Sequence, residues 1–287
     1  MNRRGQLEGP QRYYASEHYL LPADMNESAR LDAQHRSIVR AFENRLSLIP
    51  MTNFKTGDRV LESAAGTGIW AIDFFETNAN KGVILDIECT DLSDRQFHKL
   101  QGHPNIHYSL HSVTDFPAEW TDRFAYIHQR FLVVALNESL WQQAVNEMFR
   151  TLSPGGWLEL VEMDLKNWLF NVGPYSKKIH SLMFALYAEK GIVIDLPAYL
   201  PPLLEKAGFV DIQCEARALP IGSLPDKAYR SEEFGAGCRG LMGPLLEYGL
   251  IETEEEYENM VQESVREWDS SNEASLACFT VIARKPY

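Results

Sequence analysis

The residues with the clearest chemical purpose lie between Arg59 and Phe74. A short apolar strand, Val60 to Leu61, runs into an acid, Glu62, and then into the small residues Ser63, Ala64, Ala65, Gly66, Thr67 and Gly68. An apolar helical pattern follows, with Ile69, Ile72 and Phe75 spaced to share one face. Strand, small-residue turn and helix start together make a nucleotide site. The turn lets a ligand approach the backbone, and the free N–H groups of the first helical turn face it. The acid at the strand end discriminates between ligands. It repels a dinucleotide pyrophosphate and attracts an ammonium group, such as that of S-adenosylmethionine (SAM). Gly66-x-Gly68-x-x-Ala71 also satisfies the dinucleotide fingerprint in its G-x-G-x-x-A form. The turn by itself leaves both cofactors open.

Further polar groups fall where an open α/β sheet binds ligands, at the carboxyl ends of its strands. A second strand is expected over Val83 to Cys89, leading to Asp91, which follows Gly68 at about the 20-residue spacing of a ribose-binding acid. The competing reading of Asp91 and Ser93 is a helix N-cap. Ile106 to Leu110 alternates as a third strand and ends at His111, Ser112 and Val113, where an adenine edge would sit; ordinary turn polarity explains His111 and Ser112 equally well. A fourth strand, Phe124 to Phe131, carries His128, Gln129 and Arg130 at its end. His35, His128, His180 and Glu162 are the candidate general bases, each with a packing role as its competing reading. No Ser-His-Asp or metal-ligating constellation stands out.

The elements that must position these groups alternate. A helix is expected over Ala29 to Ser47, capped by Asn26 and ended by Pro50, and another over Asn137 to Leu152. Ser153-Pro154-Gly155-Gly156 reads as a tight turn before a fifth strand, Trp157 to Met163. Helices over Tyr175 to Lys190 and Tyr199 to Ala207, a strand over Val210 to Ala216 and a closing strand over Ala274 to Arg284 complete the pattern. Strand and helix alternating from Val60 to Trp157 imply a parallel sheet.

The 287 residues are 45% hydrophobic and 11% aromatic, enough for a sizeable core and against wholesale disorder. Forty acidic against 27 basic residues give a net charge of −13, which argues against an extended nucleic-acid surface. The four cysteines, Cys89, Cys214, Cys238 and Cys278, form no C-x-x-C pair, so neither zinc nor a disulfide framework is expected. No leader-like apolar run opens the chain, and the aliphatic run Phe131 to Leu136 is too short to span a membrane. These features lead us to expect a cytoplasmic protein, a monomer or homodimer, with no nucleic-acid or membrane partner.

Four features agree in order and spacing: the glycine turn, Thr90-Asp91-Leu92-Ser93, the strand bearing His128-Gln129-Arg130, and Leu152-Ser153-Pro154-Gly155-Gly156-Trp157. Together they resemble the class I SAM-dependent methyltransferases. More narrowly the chain resembles the fungal LaeA-like and UbiE-like secondary-metabolism group. Tyr19-Leu20-Leu21-Pro22, Arg30-Leu31-x-x-Gln34-His35 and Gly68-Ile69-Trp70-Ala71-Ile72-Asp73 are similar to that group's pattern. The chain departs from it in Glu62 for Asp, in Ala64 for Gly, and in the missing acid after the third strand.

The resemblance implies a Rossmann-like α/β fold: seven strands, helices on both faces, the last strand antiparallel, and a helical lid. Residues 1–55 would form the lid and 56–219 with 273–287 the SAM-binding core. Segments 165–205 and 220–272 would supply acceptor-site helices within one globular unit. Glu62, Ala64, Gly66, Gly68 and Gln129 would surround the methionine part of SAM, Asp91 the ribose, and Leu92, Ser112 and Val113 the adenine, with Tyr19 over the cofactor. Tyr13, Tyr14, Phe131, Trp168 and Met242 would meet the acceptor. The activity implied is methyl transfer to O, S or N of a small molecule, a fungal secondary metabolite, leaving S-adenosylhomocysteine and using no metal. A dinucleotide-dependent oxidoreductase and a noncatalytic SAM-binding regulator are the alternatives.

Overall fold

The computed structural model describes residues 25–50, 53–97, 103–224 and 229–287. Tyr13, Tyr14 and Tyr19 lie outside the described residues. Seven strands form one sheet in the order β3-β2-β1-β4-β5-β7-β6. They are β1 (Arg59–Ser63), β2 (Asp86–Asp91), β3 (Ile106–Leu110), β4 (Phe124–Arg130), β5 (Leu152–Met163), β6 (Val210–Pro220) and β7 (Ser275–Arg284). Strands β1 to β5 pair in parallel, and β7 runs antiparallel to both its neighbours, β5 and β6. The expected seven-stranded sheet with its last strand reversed is therefore present.

The central strands are buried on both sides because both sides are covered, while the edge strands β3 and β6 are largely exposed. Val60, Ile87 and Tyr126 join one buried cluster, and their chain neighbours Leu61 and Ile127 join the other. Helix α2 (Ile69–Ala79) covers the first face. The second is covered by α3 (Glu138–Thr151), α4 (Pro174–Glu189), α5 (Leu196–Ala207), α6 (Ser231–Gly240), α7 (Met242–Glu247) and α8 (Glu254–Asp269). Asn137 caps α3 by accepting from the Leu140 N–H, and the acid-rich start of α8 is capped by Thr253. Glu267 of α8 accepts from the Tyr175 and Ser176 N–H groups at 2.9 and 2.7 Å, so one helix caps the start of another.

Four expectations need correction. The first helix, α1 (Met25–Ala41), ends six residues before Ser47 because Glu43 and Asn44 turn the chain with φ of 59° and 60°. The chain then docks on the sheet: the buried Glu159 carboxylate accepts from Ser47 Oγ at 2.6 Å, Leu48 N–H and the Tyr126 hydroxyl. The second strand starts at Asp86, not Val83, since the Val83 N–H still bonds the Asn78 carbonyl of α2. The buried face of α2 is Trp70, Ala71, Phe74 and Asn78, with Ile69, Ile72 and Phe75 only partly covered. Ser153 to Gly156 is a bulge inside β5 rather than a free turn: Leu152 pairs with Phe124 and Trp157 with Tyr126. Gly155 sits there at φ 80°, and a Cβ on Gly156 would come within 2.8 Å of the Ser153 carbonyl oxygen.

Candidate functional site

A cavity of about 510 Å³ lies at the carboxyl ends of β1, β2 and β4 and extends under the helices. One end is lined by Ala64, Gly66, Asp91, Leu92, Ser112 and Val113. The other is mostly apolar, with Leu136, Trp168, Met183, Tyr187, Phe234 and Leu241. Residues Arg30, Leu31 and Gln34 of α1 form a wall.

The loop between β1 and α2 is shaped by backbone conformation and by one acid. Ala64, Gly66 and Gly68 all have positive φ, 54°, 56° and 75°. The Gly66 N–H donates to Asp91 Oδ2 at 2.9 Å, and Asp91 Oδ1 accepts from the Leu92 N–H at 2.7 Å. Burial raises the Asp91 pKa, and these N–H donors oppose it. Asp91 thus holds the glycine loop and still lines the cavity. Leu92 beside it is 48% exposed, an apolar surface at the entrance. Gly68 is buried outside the cavity wall, where a Cβ would collide with the Tyr108 hydroxyl at 2.2 Å.

Glu62 does not reach the cavity. It is 1% exposed and pairs with His128 Nδ1 at 2.5 Å, while the His128 ring stacks on Trp70 at 3.8 Å. Burial drives both groups toward their uncharged forms, Glu62 well up and His128 down to about 3. Glu62 is therefore not a free anion facing a ligand. Gln129 is likewise fully buried, accepting from Ser63 Oγ at 3.1 Å.

Arg130 does line the cavity. Its Nη1 donates to His35 Nδ1 at 2.9 Å, and His35 Nε2 meets Asp73 Oδ2 at 2.9 Å. A guanidinium only donates, so His35 accepts at Nδ1 and carries its proton on Nε2, which donates to Asp73. Burial lowers the His35 pKa, and the nearby Arg130 charge adds to this. His35, His128 and Glu162 all lie outside the cavity lining, as does His180, which stacks on Phe184. Phe131, with φ of 60°, and Trp168 line it; Met242 packs against the core beside Leu241, which takes the expected place.

Glu162 braces the cavity from behind, accepting from the Leu132 and Val133 N–H groups at 3.0 and 2.9 Å. Burial pushes its carboxyl up to about 8, against those two donors. A raised carboxyl pKa gives stability that is full below the unfolded value and is lost as pH rises through the folded one. Relative to Glu162→Gln, the protein should lose about 2 kcal/mol between pH 6 and pH 8. Urea unfolding of both forms at the two pH values measures this, and parallel behaviour would refute the assignment.

A sheet of this order, with β7 reversed and a cleft over the ends of β1 and β2, defines the class I methyltransferase fold. The chain belongs to the methyltransferase-domain family, whose model matches residues 31–213. It is 28% identical to the methyltransferase pytC of Aspergillus terreus, over 96% of this chain and 85% of that protein. A secondary metabolism regulator of Cochliobolus heterostrophus is 27% identical over 75% of this chain and 69% of its own. Among solved structures, Haemonchus contortus phosphoethanolamine N-methyltransferase 2, with S-adenosylhomocysteine bound, has a TM-score of 0.51 at 17% identity. The match covers 94% of this chain and 55% of that one, and it shows the fold alone.

No group of three or more His, Cys, Asp or Glu among the described residues is placed to hold a metal ion. No described helix is long and apolar enough to cross a membrane. Arg130 is a cavity residue to which sequence reasoning gave no firm role. The signal for Arg130 was its place at the end of β4.

Proposed function

We propose that the protein transfers the methyl group of SAM to a small, largely apolar molecule. The observation that carries this is the single cavity joining the polar loop at Asp91 to the apolar chamber at Trp168 and Leu241. A cofactor and an acceptor need to share such a space, and apolar walls with a few polar groups suit small organic ligands. The residues fit SAM. Asp91 retains acceptor capacity for ribose hydroxyls, Leu92 and Val113 offer apolar surface to the adenine, and Ser112 offers it a hydroxyl. Arg130 is the cation available to the amino-acid carboxylate, and the small loop residues Ala64, Ala65 and Gly66 admit that end.

SAM supplies a methyl group already activated by its sulfonium. The chain's own work is to align the two reactants and to keep water out of the chamber. Titration calorimetry with SAM and with NAD, followed by incubation with labelled SAM and extracts, tests the reading. SAM binding with labelled product supports methyl transfer; NAD binding in its place overturns it. Tight SAM binding with no labelled product would favour a noncatalytic regulator.

Ala64 holds a left-handed conformation that an L side chain adopts only under strain of about 1–3 kcal/mol. Ala64→Gly should therefore raise the melting temperature and bind SAM at least as well as the parent. A fall in SAM affinity would show that the Ala64 methyl is part of the ligand's contact surface.

A further inference from the structure

Glu233 is the anionic residue on the helical wall of the chamber, and its two hydrogen bonds fall on one oxygen. Oε2 accepts from Ser37 Oγ at 3.0 Å and from the Arg230 N–H at 3.3 Å. Oε1 has no partner among the described residues, and no described Lys, Arg or His forms an ion pair with this carboxylate. No other charged group of the lining pairs with it, and Arg130 and Asp91 belong to the cofactor end. Arg30 is held by Glu27 at 2.6 to 3.0 Å, Arg130 by His35, and Asp91 by the glycine loop. Beside Glu233 stand Gln34 and Tyr229, whose phenol burial pushes up to about 12, so it stays uncharged. The surrounding wall is Trp168, Met183, Phe234 and Leu241.

Glu233 is half-buried in the cavity wall; Oε2 caps the first turn of α6, while Oε1 keeps an open acceptor site that no cation among the described residues fills. A cationic ligand in the chamber would pair with that oxygen. We propose that Glu233 anchors the acceptor, and that the acceptor class is an apolar molecule bearing a basic amine, held as its ammonium at Oε1. The Gln34 amide oxygen and the Tyr229 hydroxyl oxygen are the neutral acceptors for its remaining N–H groups. Calling the ligand the acceptor rests on the methyl-transfer reading; the amine preference itself does not.

The test is calorimetry on the full chain without SAM, using 2-phenylethylamine and its isostere 2-phenylethanol. The amine should bind at least tenfold tighter than the alcohol at neutral pH. In a Glu233→Gln variant with an intact melting transition the two should bind within about threefold of each other, since tenfold corresponds to the loss of one charge-assisted bond. Equal binding of the two probes, or no binding of the amine, overturns the proposal, as does a preference that survives in folded Glu233→Gln. The ratio on the unmodified protein decides the matter even where the variant does not fold. A separate SAM titration keeps the readings apart: failure to bind SAM defeats methyl transfer and leaves the amine ratio standing.

Discussion

Replacing Asp91 with alanine should weaken SAM binding by at least tenfold, about 1.4 kcal/mol or more. The effect has two sources. The carboxylate is the group positioned for charge-assisted bonds to ribose hydroxyls, each contributing roughly 1.5–3 kcal/mol. It also holds the Gly66 N–H, so its removal frees the loop that lines the cavity. Asp91→Asn separates the two. An amide oxygen can still accept from one backbone N–H, while the charge is gone, so an intermediate loss is expected. Calorimetry on folded variants measures both, and an unchanged affinity for Asp91→Ala would remove this residue from the cofactor site.

Replacing Trp70 with alanine should cost about 3–5 kcal/mol of stability, the range for large aromatics removed from a core. Trp70 is 2% exposed and lies between the His128 ring at 3.8 Å and the Phe74 ring at 4.5 Å. Its Nε1 also donates to the Leu46 carbonyl at 2.9 Å, tying the segment after α1 to the helix after the glycine loop. The loss would empty a cavity, break that tie and uncover the buried Glu62–His128 pair. Thermal melting should drop by on the order of 10 °C. A change within a degree or two would show that the stack contributes little to the seat of the loop.

The succession of strands and helices along the chain was legible from the sequence because strand patterning and glycine punctuation are local signals, whereas the reversed last strand came from the family resemblance. The left-handed conformation at Ala64 was foreseeable too, since the position is one where the family carries glycine. What was hidden is register. Glu62 looks like a ligand-facing acid until β1 and β4 are paired, and then His128 stands directly opposite it. No spacing along the chain reports that neighbour. The same limit applies to His35, whose partners Asp73 and Arg130 come from two other elements. The early end of α1 was missed for a different reason: the helical pattern continues to Leu46, but Glu43 and Asn44 leave the helical region and Glu159 captures the chain that follows. Glu233 stood in no motif. Its one local cue is an acid in the first turn of α6, a pattern that stabilises any helix start.

Helix α1 has one further consequence, which lies in the make-up of its inner face. Among its described side chains the buried ones are Glu27, Gln34, His35 and Ser37, with Ile38 the apolar exception. Thr67 reaches its Asp32 at 2.7 Å, Asp73 its His35 and Glu233 its Ser37. A greasy face gains from any overlap and tolerates slippage by a turn. A face of paired donors and acceptors is satisfied in a single seating, because each displaced partner forfeits its bond and remains dehydrated, at about 1–3 kcal/mol apiece. The helix is thus an indexed part rather than a sliding one. The width of the chamber it walls is set by which partners these side chains find, not by how much grease they cover.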